Sequence, residues 1–163
     1  MTDVIRTAHL VDTNDEDVRF CEMQWKSFGR RDGFHGEVVT IRTFEDNRLL
    51  RETLGDDGSG KVLVVDGGGS LRCALVGDQI AALAQSNGWK GLLINGAIRD
   101  SADIGAMDFC VMALGRAPKK SGKTGHGVRG APVRFGNVEF RPGDYLYADA
   151  DGVLVADRPV HED

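Results

Sequence analysis

Val62-Leu63-Val64-Val65, running straight into Asp66-Gly67-Gly68-Gly69-Ser70, is a short apolar segment that ends in a glycine-rich turn. Such a run, with no polar alternation, fits a strand buried on both faces, as in a sheet covered by helices. Outward toward the C-terminus, residues 74–87 predict a helix, with Ile80, Leu83 and Ala84 at helical spacing and Gly88 as the stop signal. Trp89 leads into a second buried strand at Leu92-Leu93-Ile94, and residues 109–114 predict a third. The order strand, helix, strand, short helix, strand is α/β organisation.

Toward the N-terminus, residues 56–60 (Asp-Asp-Gly-Ser-Gly) read as a surface loop, 47–54 as a short helix closed by Gly55, and 34–42 as an alternating strand. Residues 3–27 read as a helix-rich start that continues through Asp15–Val18, with Met23, Trp25 and Phe28 entering a first strand. Beyond the middle the character changes. Residues 118–130 form a flexible basic loop, and 133–140 alternate around Gly136-Asn137, a hairpin signal of type II′. Pro142-Gly143-Asp144 is a turn, and 145–148 and 153–156 flank a further hairpin turn. These strands predict a β-rich C-terminal layer against the α/β middle.

A chain of 163 residues with 41% hydrophobic and 28% charged residues predicts one domain with a full core, spanning 1–163. A net charge of −5 argues against direct nucleic-acid binding, which needs a basic face. Cys21, Cys73 and Cys110 are odd in number and have no CxxC spacing, so reduced, packed thiols are expected. No signal peptide and no membrane-length apolar run are evident, which predicts a cytoplasmic protein without membrane contact.

Several motifs are set aside. Gly122-Lys123-Thr124 has Ala117 where a phosphate-binding loop needs Gly, and Asp149-Ala150-Asp151-Gly152 lacks the carboxylate spacing of a calcium loop. Gly67-Gly68-Gly69 lacks the GxGxxG spacing of a dinucleotide fold. His9, His35, His126 and His161 are scattered and read as surface or loop residues, with His126 a candidate for substrate contact. No GxSxG serine suggests nucleophilic catalysis.

One constellation survives: Asp78, then twenty residues, then Arg99-Asp100 after the second buried strand. Gly77-Asp78-Gln79-Ile80 opens a helix, whose free N–H groups and positive dipole end suit a carboxylate. Arg99 can hold a carboxylate in a planar fork, and Asp100 is a hard oxygen ligand for Mg²⁺ or Mn²⁺. The alternative is structural: a dipole-favoured Asp78 and a loop ion pair between Arg99 and Asp100.

Residues 64–78 (Val-Val-Asp-Gly-Gly-Gly-Ser-Leu-Arg-Cys-Ala-Leu-Val-Gly-Asp), with 91–100, Gly143-Asp144 and the segment from Tyr147 to Val153, resemble the RraA-like family. That family holds regulators of ribonuclease activity and metal-dependent 4-hydroxy-4-methyl-2-oxoglutarate aldolases. The resemblance implies a compact swivelling β/β/α domain with a central mixed sheet, forming homotrimers, sometimes hexamers, with the site near a subunit interface. It implies a divalent-metal lyase that releases pyruvate from small 2-oxo acids and decarboxylates oxaloacetate. By the same likeness, Asp78 would hold a water on the metal or move a proton, and the backbone of Gly77, Asp78, Gln79 and Ile80 would bind the pyruvyl carboxylate. Arg99 would bind substrate and steady the enolate, Asp100 would ligate the metal, and Asp103 would stand behind it. The other branch implies a protein partner, an RNA-degrading endonuclease of ribonuclease E type. Its members typically lack the acid after the Arg, which this chain keeps. Larger aldolases add a C-terminal acid with which Asp157, Glu162 and Asp163 cannot be equated. A methyltransferase reading of the family is rejected for want of the nucleotide-type Gly motif.

Overall fold

A computed structural model describes residues 5–162. In chain order the elements are α1 (Thr7–Asn14), β1 (Val18–Phe20), β2 (Lys26–Phe28), β3 (Phe34–Arg42), α2 (Arg48–Leu54), β4 (Lys61–Asp66), β5 (Ala74–Val76) and α3 (Asp78–Ser86). There follow β6 (Gly91–Ile98), α4 (Ser101–Gly105), β7 (Val111–Arg116), β8 (Val128–Arg129), β9 (Val133–Phe135), β10 (Val138–Phe140), β11 (Tyr145–Asp149) and β12 (Gly152–Ala156).

The main sheet runs β1-β12-β11-β3-β4-β6-β7-β2, with β5 also on β6 and β8 on β3. Its centre, β3-β4-β6-β7, is parallel, and its flanks are antiparallel. The period-two pleat sorts the core into two faces. On one, Ile41, Leu63, Val65, Leu92, Ile94 and Ile98 meet Leu50 and Leu54 of α2, Ile80 and Ala84 of α3, and Ile104 of α4. On the other, Val62, Val64, Leu93 and Met112 meet the β9–β10 hairpin through Val133, Phe135, Val138 and Phe140. Full burial of each such side chain is worth about 1.5–3 kcal/mol, so this double-sided core holds the central strands rigid.

The sequence expectations change in several places. The predicted helix over 74–87 begins only at Asp78, because Ala74–Val76 is a buried strand, β5. β4 pairs with β6 only as far as Asn95, and β5 takes up the edge at Ala97 and Ile98, where backbone groups would otherwise lie unpaired. The opening helix stops at Asn14. The Asn14 amide donates to Leu10 O and the Thr13 hydroxyl to His9 O, and Val18 already pairs with Ala156. Residues 3 and 4 of that predicted stretch lie outside the described residues. The C-terminal strands are not a separate layer: β11 and β12 extend the main sheet from β3, and only the hairpin stands apart. Its turn has positive φ at both Gly136 and Asn137, so it is of type I′ rather than II′.

The basic loop is fastened rather than flexible. Buried Asp46 accepts from the amides of Thr124, Gly125 and Arg48 and from the Thr124 hydroxyl. Burial pushes the Asp46 carboxyl up, but these donors outweigh it and hold the group below the usual carboxylate range. The three cysteines are free and buried, as expected. Burial raises the thiols of Cys21 and Cys110 to about 11, which leaves them unreactive. Among the described residues no helix is long and apolar enough to cross a membrane.

His35 and His161 are not plain surface histidines. His35 Nδ1 lies 2.8 Å from Tyr145 Oη, His161 Nδ1 lies 2.7 Å from Tyr147 Oη, and the two imidazoles are 5.0 Å apart. Burial, then the nearby His161 and Lys90, lower the His35 pKa. Between the folded and unfolded values the unfolded chain binds more protons, so stability falls as pH drops through the ordinary imidazole range. Thermal melts from about pH 7.5 to about pH 5.5 are expected to show a steeper loss in the parent protein than in His35→Gln; parallel curves would contradict this.

Candidate active site

The site is built where two parallel strands end side by side. Arg99 N–H donates to Val76 O at 2.9 Å, so the residue after β6 is tied to the last residue of β5. β5 hands over to α3 through Gly77, and β6 to α4 through Arg99-Asp100. The two expected loops therefore meet at the carboxyl edge of the sheet, the usual ligand edge of an open α/β sheet.

Asp100 makes the join. It stands at the start of α4 with φ 55° and ψ 41°, in the left-handed region that costs a non-glycine residue about 1 kcal/mol or more. Its carboxylate does not cap its own helix. It crosses to the neighbouring loop instead, where Oδ2 accepts the Asp78 N–H at 3.1 Å. An anion is thus seated on the positive end of α3. Gly77 makes room for it: a Cβ there would lie 2.8 Å from Asp100 Oδ2 and 3.5 Å from Arg99 Nε. Arg99 and Asp100 therefore flank the same glycine.

The first intrahelical acceptor is Gly77 O, bonded by Ala81 N–H, so the amides of Gln79 and Ile80 precede the ladder and have no intrahelical partner. The Asp78 amide is already taken, which leaves Gly77, Gln79 and Ile80 of the predicted backbone cradle. Asp78 and Arg99 are partly exposed, and Gln79 and Asp100 exposed, making an open shelf on the single chain. No ion pair joins Arg99 to Asp100 among the described residues, so the predicted structural alternative of a loop ion pair is not found. Asp103 is exposed on α4 and makes no hydrogen bond to Asp100.

The donor set limits what metal it suits. Among the described residues no three His, Cys, Asp or Glu side chains converge, which excludes a closed zinc-type cage on this chain alone. Asp100, with Oδ1 outside the bond to Asp78, fits a hard cation that keeps most of its waters, such as Mg²⁺ or Mn²⁺.

His126 is not part of this shelf. It lies 3.0 Å from the Thr124 hydroxyl and lines a shallow cleft of about 400 Å³ with Arg42, Phe44, Asp66 and Val128. The triple glycine is no phosphate cradle either. The amides of Gly67 and Gly69 donate to Asn95 O at 3.0 and 3.1 Å, and that of Gly68 to Asp66 Oδ1 at 3.0 Å. Sequence reasoning did not single out Asn95, which holds this loop and also donates to Asp66 Oδ1. A polar residue inside an otherwise apolar strand was its signal.

Comparison with known proteins places this architecture. The model of the RraA-like family, described as Aldolase/RraA, matches residues 7–155. A protein of Dechloromonas aromatica (strain RCB) that carries the provisional name 4-hydroxy-4-methyl-2-oxoglutarate aldolase is 55% identical over 143 residues, 88% of each chain. The crystal structure of S-adenosylmethionine:2-dimethylmenaquinone methyltransferase from Geobacillus kaustophilus HTA426 is similar at 47% identity and TM-score 0.94, covering 96% of this chain and 97% of that one. The RNA-processing inhibitor RraA from Thermus thermophilis is similar at 43% identity and TM-score 0.93, covering 98% and 96%.

Serine serves a helix start as well as glycine does, so Gly77→Ser isolates the steric effect on Asp100. It is expected to lower unfolding free energy in urea by about 1 kcal/mol by displacing the capping carboxylate. In an Asp100→Ala background the same change is expected to cost close to nothing, and equal costs in both backgrounds would remove the contact from the account.

Proposed function

The chain belongs to the RraA-like family, and on that premise we propose that it is a divalent-metal-dependent lyase. It cleaves 4-hydroxy-4-methyl-2-oxoglutarate and decarboxylates oxaloacetate, releasing pyruvate through an enolate. The observation that carries this reading is Asp100, held in a strained backbone beside Arg99 over Gly77.

Asp100 would hold the cation, Mg²⁺ or Mn²⁺, which when bound supplies Lewis acidity to the 2-oxo acid. The free amides of Gln79 and Ile80 donate to the substrate C1 carboxylate, favoured by the dipole of α3. Arg99, beside them, takes the negative charge that grows on the C2 oxygen as the C3–C4 bond breaks. Asp78, partly exposed at the same turn, accepts the C4 hydroxyl proton through a water. The C3–C4 electron pair becomes the enolate C2–C3 bond, and a proton returned to C3 completes pyruvate. For oxaloacetate the same bond breaks, CO₂ leaves, and no hydroxyl proton is needed. The open shelf on one chain suits a site completed at a subunit interface of a homotrimer or hexamer, as the resemblance implies.

A second reading, contact inhibition of an RNA-degrading endonuclease, is favoured by the similarity to the RNA-processing inhibitor from Thermus thermophilis. Inhibition needs surface alone and leaves Asp100 Oδ1 and the helix-start amides of Gln79 and Ile80 without a task.

With Mg²⁺ the protein is expected to release pyruvate from oxaloacetate, and a chelator to abolish the release. Arg99→Ala and Asp100→Ala are each expected to lower kcat/KM by roughly 10²–10³. Full activity in both variants, measured in a coupled pyruvate assay, would overturn these assignments.

A further inference from the structure

Arg116 ends β7, directly beside the shelf. In the parallel register it pairs with Ile98, the residue before Arg99, and Ala117 N–H donates to Ile98 O at 3.0 Å. Arg99 therefore sits between two strand ends, with Val76 and Gly77 on one side and Arg116 and Ala117 on the other. Adjacent strands are about 4.8 Å apart. A five-carbon diacid whose C1 end lies on the α3 side of Arg99 reaches about one strand spacing across β6, toward β7.

Arg116 is exposed and has no ion-pair partner among the described residues. The stretch 109–138 around it has six Lys and Arg residues and no Asp or Glu, in a chain of net charge −5. The other five basic residues are placed elsewhere. Lys119 and Lys120 lie against Ala74, at the far end of β5, and Lys123 lies 3.5 Å from Asn47 Oδ1. Arg129 pairs with Asp56, and Arg134 belongs to the hairpin layer. Arg116 alone adjoins Arg99 at a strand end.

We infer that Arg116 reads the distal carboxylate of the substrate and so makes the site selective for 2-oxo diacids. The inference rests on the lyase reading. Its consequences differ between the two reactions. In the aldol substrate the distal carboxylate keeps its charge throughout, so the contact serves both ground and transition states. In oxaloacetate that carboxylate becomes neutral CO₂, so a guanidinium on it holds the ground state and adds nothing to the bond-breaking step.

The test compares the full-length protein with Arg116→Gln and Arg116→Lys on 4-hydroxy-4-methyl-2-oxoglutarate, on oxaloacetate, and on deuterium exchange into the pyruvate methyl group, followed by proton NMR. Exchange forms the same enolate without a distal carboxylate. Arg116→Gln is expected to lower kcat/KM for the aldol substrate roughly tenfold to a hundredfold. For oxaloacetate it is expected to raise KM by a similar factor while kcat holds or rises. Pyruvate exchange is expected to stay within about twofold, and Arg116→Lys to recover part of the loss. Unchanged diacid kinetics in Arg116→Gln, or exchange slowed as much as diacid cleavage, would overturn the assignment. If the parent protein neither exchanges pyruvate nor cleaves either diacid, the lyase reading fails first and Arg116 with it.

Discussion

The hydrogen bond from the Asp78 amide to the Asp100 carboxylate ties together two loops that the chain separates by a strand and a helix. Everything proposed for the site depends on it. It fixes where the carboxylate sits, and through Gly77 it fixes how near the Arg99 side chain lies. The contact is possible only because β5 continues the sheet where β4 has ended, so that α3 starts level with the end of β6. A three-residue strand, easily overlooked, is what places the start of one helix beside the end of another strand.

Most of the central architecture was legible in the sequence. Continuous apolar runs marked β4, β6 and β7, because strands covered on both faces need no polar alternation. The spacing Asp78, Arg99-Asp100 named the residues that the fold brings to one edge. What could not be read has physical causes. Ala74-Leu75-Val76 contains good helix formers and is a strand only because β6 offers unpaired backbone there, a tertiary demand with no local signature. Nor does sequence show that β11 pairs with β3 across more than a hundred residues. The handedness of the Gly136-Asn137 turn was open too, since Gly at the first position suits both turn types. The left-handed backbone of Asp100 is announced by nothing more than its being Asp.

Charge is also unevenly distributed. An acidic chain keeps one long stretch free of carboxylates, and the fold brings part of it to the carboxyl edge of the sheet. Arg99 and Arg116, at neighbouring strand ends, favour the approach of a small dianion to that edge. Screening over about 8 Å in physiological salt confines the effect to that neighbourhood. The surface as a whole can therefore stay acidic while the edge attracts anions.

The position of β12 between β1 and β11 has a bearing on how the protein is made. Val18–Phe20 is translated more than a hundred residues before its pairing partner, Leu154–Ala156. The parallel centre can gather as its strands emerge, but the antiparallel flank stays open until β11 and β12 have been made. During that interval the nascent chain exposes strand edges open to pairing with other chains, and protection by a chaperone matters most then.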